Sequence, residues 1–354
     1  MSQRLRELAG ITVLHVIESY GAGTASAAAQ YVRATPELTH HLVRRFRPDD
    51  DHAEEGESDL FASVAEMSPG TGRAVRSVRR RVLELRPDVV HAHSSFGGAF
   101  ARLAVSRRGR RIVYTPHCFS MERADLSPAA RRGYGLAERL LGLNTDVFAG
   151  CSEREVDLAR VIAPARRHVW VPNLSDVTPA DVAHLDVPRF DLVAAGRVTA
   201  QRDPEWFRAV VERVRELHGP VTAAWVGGGD ADRIERLRSA DITVTGWLPR
   251  SAALATMARS TVYVHTAVWD GAPMTVLEAQ RLGRPIAARR SPALDAAPAS
   301  YVGNDAAHLA AIVLEALERP EAAQANAAAW AAHFAGHTIE RQRAALLEAY
   351  GRGQ

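Results

Sequence analysis

The sequence predicts an α/β protein built from two doubly wound domains, in each of which helices cover both faces of a parallel sheet. Short apolar runs alternate with longer helical patterns along the chain, and this alternation is typical of parallel sheets. A proline-containing stretch at 173–189 interrupts the pattern, which then starts again. The 354 residues suffice for two domains of ordinary size, and we expect a ligand to bind in a cleft between them.

The first half of the chain, residues 1–172, is predicted to form the N-terminal domain. Its strands are expected where apolar runs end in polar or small residues. These runs are 11–17, 40–46, 88–94, 111–117, 146–152 and 168–173. Helices are predicted at 25–34, after a glycine-rich turn, and at 80–87, where the pattern ends at a proline.

The alternation restarts after the linker at 173–189 and predicts a C-terminal domain at 190–330. Strands are expected at 190–197, 221–229, 242–247, 260–266 and 284–290. Helices are expected at 204–219, 274–283 and 306–318. The first of these has a proline near its start and a glycine at its end, as helix termini favour. Residues 331–354 are predicted to be helical and to be able to pack back on the first domain.

The composition is that of a soluble globular protein and excludes several other classes. Hydrophobic residues make up 47% of the chain and charged residues 24%. There is no run of about 18 apolar residues, and the N-terminus lacks the apolar core of a signal peptide. The two cysteines, Cys118 and Cys151, form no CxxC pattern and exclude a disulfide framework. We therefore expect a cytoplasmic protein.

The basic charge comes from arginine alone and is concentrated in one segment. The chain has 44 arginines, no lysine and 41 acidic residues. Residues 66–111 hold 11 of the arginines and 3 of the acidic residues. Such a segment is either a solvated face or a peripheral contact with the anionic inner face of a membrane. A nucleic acid is not expected, because no nucleic-acid motif or interleaved aromatic residue accompanies the charge.

Glycine-rich turns follow a strand in each half. Residues 21–26, GAGTAS, come after the first strand, and Gly21 and Gly23 would let a ligand approach the start of the next helix. The pattern is G-x-G-x-x-S, and no ribose-binding acid is evident about 20 residues on, so a dinucleotide site is not favoured. A plain strand–helix turn is the alternative. Gly227, which opens a GGG run at another strand end, is similarly permissive.

Two arginines follow the strand that opens the second domain. Arg197 comes directly after Gly196, and Arg202 lies five residues later. Two guanidinium groups on one strand-end loop can clamp a diphosphate through bidentate hydrogen bonds. An ordinary charged loop is the alternative interpretation.

Two carboxylates, Asp270 and Glu278, flank the start of a predicted helix in the segment WDGAPMTVLEAQRLGRP. The backbone N–H groups at the helix start, around Met274, Thr275 and Val276, favour an anion. Carboxylates accept hydrogen bonds from hydroxyl groups, so a diphosphate between two hydroxyl-rich rings would suit both features. The alternative is that Asp270 caps the helix and Glu278 is a surface charge.

Three histidines lie at the ends of predicted strands. His91 and His93 form an HAH pattern, but no third and fourth ligands stand at a recognisable spacing, so we expect no metal site. His117 ends the run 111–117, on the side of the sheet where ligands bind in such folds. A structural histidine is the alternative interpretation of His117.

Together and in this order, the motifs resemble glycosyltransferase family 4, whose GT-B fold has two Rossmann-like domains. The resemblance runs from the first strand to about residue 318. Asp270 and Glu278 resemble the E-x7-E element of that family, with aspartate in place of the first glutamate. The loop from Gly196 to Arg202 is similar to its Gly-Arg…Lys loop. GAGT, HAH and TPH are similar to shorter family elements, whereas Ser291 stands where the family usually has a Gly-Gly segment.

The resemblance implies a retaining, metal-independent transfer of a sugar from a nucleotide-diphosphate donor to a hydroxyl acceptor. The acceptor would be a glycan, a lipid-linked glycan or a small molecule and would bind the N-terminal domain. Arg197 and Arg202 would neutralise the departing diphosphate, aided by the helix start at 274–276. Glu278 would hold the ribose, and Asp270 would contact the donor sugar.

Two further roles are implied for the N-terminal domain. His117 would contact the donor sugar, and the loop at Gly21 and Gly23 would lie between the donor phosphate and the acceptor. No cofactor is implied. A catalytically silent GT-B binding protein and a nonhydrolysing nucleotide-sugar epimerase, which shares the fold, are the alternatives.

Overall fold

The computed structural model describes residues 10–45 and 57–351, which form two compact units. The first unit contains the described residues up to Leu174 and those from His337 onward, and the second is Ser175–Gly336. Most of the predicted linker, 173–189, therefore belongs to the second unit. None of the described helices combines the length and the apolar character that crossing a membrane requires.

A parallel sheet of seven described strands forms the centre of the first unit. The strands are β1 (Thr12–Ile17), β2 (Thr39–Arg44), β3 (Ser63–Glu66), β4 (Val89–His93), β5 (Arg111–Thr115), β6 (Val147–Gly150) and β7 (Arg167–Trp170). Their order is β3-β2-β1-β4-β5-β6-β7, so the direction of winding reverses between β1 and β4. Val13, Leu14 and Val16 of β1 are fully buried, as expected for a strand covered on both faces.

Helices cover both faces of this sheet. Those that follow the strands are α1 (Ala22–Ala34), α2 (Thr71–Leu85), α3 (Ser95–Ala104), α4 (Pro128–Gly142) and α5 (Glu153–Ile162). The segment predicted as a helix at 80–87 is the end of α2, which buries Ala74, Val78 and Val82 at helical spacing. A side-chain oxygen caps α5, since Ser152 accepts from the Glu155 N–H.

The second unit repeats the arrangement with six described strands, all parallel. They are β8 (Leu192–Ala195), β9 (Ala223–Val226), β10 (Thr243–Val244), β11 (Val262–His265), β12 (Ile286–Arg289) and β13 (Val302–Gly303). Their order is β10-β9-β8-β11-β12-β13, so the winding reverses between β8 and β11.

The helices of the second unit pack on both faces of its sheet, and a hydrophobic cluster is buried on each side. The helices are α6 (Pro179–Val182), α7 (Pro204–His218), α8 (Ala231–Arg238), α9 (Arg250–Ala258), α10 (Met274–Arg281), α11 (Ala306–Glu318) and α12 (Pro320–His333). Phe207 and Trp225 belong to one cluster, and Tyr263 and Trp330 to the other. The prediction of two doubly wound α/β domains is confirmed.

The last helix, α13 (Ile339–Tyr350), belongs to the first unit. Its side chains Leu346 and Tyr350 are buried there. Arg343 forms a two-pronged ion pair with Glu37, at 2.9 and 2.7 Å, and Arg111 Nε donates to the Ala349 carbonyl at 2.6 Å. The predicted C-terminal segment 331–354 thus contains the end of α12 and all of α13.

Candidate functional site

The second unit gathers several predicted site residues where the winding of its sheet reverses. β8 and β11 are neighbours there, and the chain leaves them toward opposite edges of the sheet. Such switch points leave a crevice at the carboxyl ends of the strands. The loop at 196–202 follows β8, and the loop at 266–273 follows β11 and leads into α10.

Arg202 and Asp270 form an ion pair at this switch point. Arg202 Nη1 donates to Asp270 Oδ2 at 2.5 Å, and the Gly271 N–H donates to Asp270 Oδ1 at 2.9 Å. The two side chains are only 22% and 15% exposed. Asp270 does not cap α10, because the N-cap residue is Pro273, which has no capping side chain. The capping interpretation of Asp270 is therefore wrong.

Three hydrogen bonds to backbone carbonyls fix the two loops to each other. Thr266 Oγ1 donates to the Arg202 carbonyl at 2.6 Å, and the Val268 N–H donates to the Gln201 carbonyl at 2.9 Å. Gln201 Nε2 also donates to the Trp269 carbonyl at 2.9 Å. Because both loops are tied in this way, the guanidinium of Arg202 is held beside the loop that carries Asp270.

Gly227 allows its backbone to pack closely against that of Gly196. Its φ is +138°, and a Cβ atom there would lie 2.3 Å from the Gly196 carbonyl oxygen. Trp225 Nε1 donates to the same oxygen at 2.8 Å. The ends of β8 and β9 are thereby locked, which fixes the direction in which Arg197 leaves the sheet. The Arg197 guanidinium carbon lies 6.0 Å from the centre of the Trp247 ring.

The start of α10 offers two backbone donors. Among the described residues, no group accepts a hydrogen bond from the N–H of Met274 or Thr275. Val276 differs from the prediction, because its N–H donates to the Pro273 carbonyl at 3.1 Å and is already used. Of the three N–H groups that were predicted to bind an anion, those of Met274 and Thr275 can therefore do so.

Glu278 is a buried carboxylate rather than a surface charge. It is 5% exposed, and Arg250 Nη1 lies 2.7 Å from its Oε1. The surface-charge interpretation is therefore wrong. Arg250 was not predicted from the sequence. Its position directly after Pro249, at the start of α9, could have drawn attention to it.

His265, at the end of β11, was also not predicted. It is 2% exposed, and its Nε2 has no hydrogen-bond partner among the described residues. Burial, and beyond it the charge of Arg202, lowers the pKa of His265 to about 3, so the ring is neutral at neutral pH. The neutral imidazole of His265 therefore adds no positive charge to the site.

The remaining predicted residues lie in the first unit. Gly21 is the N-cap of α1 with φ −159°, an extended conformation that any residue adopts, and Gly23 is inside α1. The glycines are therefore not required by the backbone there. Both residues are partly buried.

His117 follows β5 in a left-handed conformation, with φ +49°, and Cys118 has φ +83°. These values are costly for residues other than glycine. The buried carboxylate of Glu155 stabilises the turn, because it accepts from the N–H of Cys118 at 2.5 Å and of Cys151 at 2.9 Å. Burial raises the pKa of Glu155 despite these hydrogen bonds. The predicted strand 111–117 accordingly ends at Thr115.

His91 and His93 lie beside a third buried histidine, His15, and the three could approach one metal ion. Their ring nitrogens are engaged in hydrogen bonds to protein groups instead. His91 bonds Tyr350 and Thr115 at 2.8 Å each, and His93 bonds two other histidines. A metal ion would have to break these bonds, so the geometry favours a hydrogen-bonded cluster.

Comparison with protein families gives two matches that together cover most of the chain. Residues 22–174 match the glycosyl transferase 4-like domain, and residues 189–319 match the glycosyl transferases group 1. The chain belongs to the GT-B glycosyltransferases.

Two curated proteins illustrate the relatives of this glycosyltransferase. An uncharacterized 41.2 kDa protein in the cps region of Klebsiella pneumoniae is 21% identical over 78% of the chain and 80% of that protein. A UDP-Gal:alpha-D-GlcNAc-diphosphoundecaprenol alpha-1,3-galactosyltransferase of Escherichia coli is 24% identical over 56% of each chain.

Solved structures confirm the GT-B fold of the glycosyltransferase. Anabaena HepE in complex with UDP and glucose superposes with a TM-score of 0.73 and 15% identity, over 96% of this chain and 98% of HepE. A sucrose-phosphate synthase from Thermosynechococcus elongatus gives 0.71 and 16%, over 96% of both chains. A UDP-N-acetylglucosamine 2-epimerase assigned in Listeria monocytogenes gives 0.63 and 14%, over 90% and 91%. At these identities the likeness concerns the fold.

Proposed function

We propose that this glycosyltransferase moves a sugar from a nucleotide-diphosphate donor to a hydroxyl acceptor, with retained anomeric configuration and without a metal ion. The observation that carries the proposal is the convergence of Arg202, Asp270, the start of α10 and Glu278 at one switch point. Positive groups and carboxylates alternate there, as a ligand with a diphosphate between two sugar rings requires.

The positive groups would stabilise the departing diphosphate. Negative charge builds on its oxygens as the sugar leaves, and donors that are already oriented toward that charge lower the barrier. Arg202, Arg197 and the N–H groups of Met274 and Thr275 would provide them. Arg202 would turn from Asp270 to a phosphate oxygen, and Asp270 would then accept from a hydroxyl of the sugar.

The carboxylate of Glu278 would accept hydrogen bonds from the ribose hydroxyls, and Arg250 would orient it. In the first unit, we assign His117 a contact with the transferred sugar and the Gly21–Gly23 loop a place near the reacting groups. A UDP-sugar is the donor that we propose, because HepE binds UDP and glucose and the E. coli relative is named for UDP-Gal.

The acceptor that we propose is linked to a lipid through phosphate and is reached at an anionic membrane. The E. coli relative is named for a diphosphoundecaprenol acceptor. A groove of about 680 Å³ beside α4 supports this proposal, because it combines apolar and basic side chains. Leu136 and Val161 in it are 60% and 68% exposed, and Arg131, Arg132 and Arg139 also line it. These arginines complement an anionic head group.

The predicted basic segment 66–111 contributes less than its charge suggests. Arg102 in this segment is 2% exposed and forms an ion pair with Glu138 at 2.9 Å. Arg81 is held by Glu84 and Ser63. Exposed arginines of α2, such as Arg76 and Arg79, remain available for a membrane contact.

The test is a panel of nucleotide sugars, offered with a lipid-linked sugar diphosphate and with its water-soluble analogue. We expect transfer from one UDP-sugar, a product whose new bond keeps the donor anomeric configuration by NMR, and full activity in excess EDTA. Absence of turnover would favour a silent binding protein, and release of a new epimer would favour an epimerase. Loss of activity in EDTA that magnesium or manganese restores would contradict metal independence.

A further inference from the structure

Four histidines of the first unit form a continuous hydrogen-bonded chain that ends at His117. His40 Nδ1 lies 3.0 Å from His15 Nε2, His15 Nδ1 lies 3.0 Å from His93 Nε2, and His93 Nδ1 lies 3.0 Å from His117 Nε2. His15 and His93 are fully buried, and His40 is 3% exposed. The residues come from β2, β1, β4 and the turn that follows β5, so the series of histidines crosses the sheet.

At the His40 end of this series of histidines, the surroundings fix the position of one proton. His40 Nε2 lies 3.2 Å from the Thr35 carbonyl oxygen, which can only accept. It also lies 3.1 Å from Thr35 Oγ1, whose own proton is donated to the Tyr31 carbonyl at 2.8 Å. Both neighbours are acceptors, so His40 must carry its proton on Nε2.

The position of the proton on each histidine ring then determines its position on the next ring. Burial lowers the pKa of His40 to about 4 and holds the pKa of His15 and His93 well below the usual value, so these rings are neutral. A neutral imidazole has one donor and one acceptor nitrogen. With its proton on Nε2, His40 accepts at Nδ1 from His15 Nε2–H. By the same rule His15 accepts from His93 Nε2–H, and His93 accepts from His117 Nε2–H.

We propose that His40, His15 and His93 are positioning residues that fix the His117 ring in the tautomer with its proton on Nε2. When the ring is neutral, Nδ1 is then its acceptor and suits a hydroxyl group of the substrate. This consequence rests on the proposed function, in which His117 contacts the transferred sugar.

The backbone of His117 is held independently of its ring. Glu155 accepts from the Cys118 N–H and so stabilises the left-handed turn. The ring orientation is set through His93, and the backbone position through Glu155. A change at His40, which contacts neither the turn nor Glu155, should therefore alter the tautomer of His117 and leave its backbone in place.

The first test is ¹⁵N NMR of the full-length protein with labelled histidine, without substrate. We expect His117, His93, His15 and His40 each to show a protonated Nε2 and an unprotonated Nδ1 at neutral pH. A protonated Nδ1 and unprotonated Nε2 in neutral His117 would overturn the inference. This readout does not depend on activity, so it decides the tautomer even if no nucleotide sugar is turned over and the proposed function fails.

The second test compares three variants by NMR, donor kinetics and calorimetric binding of UDP. His40→Leu removes the acceptor for His15 Nε2, so the His117 tautomers should mix and kcat/KM should fall about 3- to 10-fold, the effect of one hydrogen bond. UDP binding should stay unchanged. His40→Asn should restore both readouts, because its amide can donate to Thr35 and accept from His15.

His91→Leu is the matched control. His91 is also buried, but its hydrogen-bond partners Tyr350 and Thr115 do not belong to the series of four histidines. This variant should leave the tautomer of His117 unchanged even if it destabilises the fold. If His40→Leu affects the tautomer and kcat/KM no more than His91→Leu does, the positioning role is overturned.

Discussion

At the scale of single residues, Arg202 and Asp270 share one ion pair although different roles are proposed for them. The two side chains are 2.5 Å apart and mostly buried, so each is the other's charge partner. Two changes at such a pair are not expected to add, because removing either partner already removes the contact.

Arg202→Ala should lower turnover by roughly 10- to 1000-fold, the range for losing one oriented donor to a developing charge. Arg202→Lys should recover part of this loss, since it keeps the charge but not the planar fork. Steady-state kinetics with the donor varied would measure both. Arg213→Ala, at an exposed ion pair of α7, is the matched control and should be silent. Full activity of Arg202→Ala would rule out the diphosphate role.

Asp270→Asn combined with Arg202→Ala should lower kcat/KM by more than the product of the two single effects. In the proposed mechanism the ion pair must break before either residue contacts the donor, so each single variant also removes that cost, whereas the double variant removes it only once. The measurement is a double-mutant cycle in kcat/KM. Strict multiplication of the two effects would show that the residues act independently.

Glu278→Gln should weaken binding of the nucleoside diphosphate, whereas Asp270→Asn should leave it nearly unchanged. The reason is that the nucleoside diphosphate carries the ribose but no transferred sugar. In kinetics, Glu278→Gln should mainly raise KM for the donor, and Asp270→Asn should mainly lower kcat. Calorimetry with UDP and kinetics with the donor varied would separate the two, with Glu216→Gln on an exposed surface as the control. The reverse pattern would exchange the two assignments.

At the scale of elements, the contact between the ends of β8 and β9 depends on Gly227. Gly227→Ala should lower the free energy of unfolding by about 1–3 kcal/mol, because its φ of +138° is strained for alanine and its Cβ would meet the Gly196 oxygen at 2.3 Å. Denaturant unfolding would measure this. Gly133→Ala in α4, where a Cβ meets nothing within 4 Å, should instead stabilise by about 0.5–1 kcal/mol. Equal effects of the two changes would contradict the close contact.

At the scale of the whole molecule, the groove beside α4 is expected to direct the protein to anionic lipid. Vesicle flotation should show more binding to anionic than to neutral vesicles, and less as salt rises, since surface charges are screened over about 8 Å at physiological ionic strength. Arg131→Ser with Arg132→Ser should reduce this binding. Arg213→Ser with Arg259→Ser, two exposed arginines of the second unit, should not. Equal flotation with both kinds of lipid would discard the membrane contact.

The sequence by itself determined the features that depend on neighbouring residues. Apolar runs and their polar ends predicted the strands that carry the site, and the Asp270-to-Glu278 spacing predicted a carboxylate before a helix and another inside it. The helices α3, α4 and α5 were not predicted individually. Of the three backbone N–H groups predicted to bind an anion, only those of Met274 and Thr275 are not already used within the described part of the chain. In that last case a local turn at Pro273 used the Val276 N–H.

Only the tertiary structure decided which of these residues meet. Arg202 lies 68 residues from Asp270, and His15 lies 78 residues from His93. Contacts over such separations follow from the order of strands in a sheet, which neither apolar periodicity nor residue spacing specifies. The contact of Arg250 with Glu278 could likewise not be predicted, because the packing of α9 against α10 sets it. Local chemistry determined what the strand ends carry, and strand order decided which strand ends are neighbours.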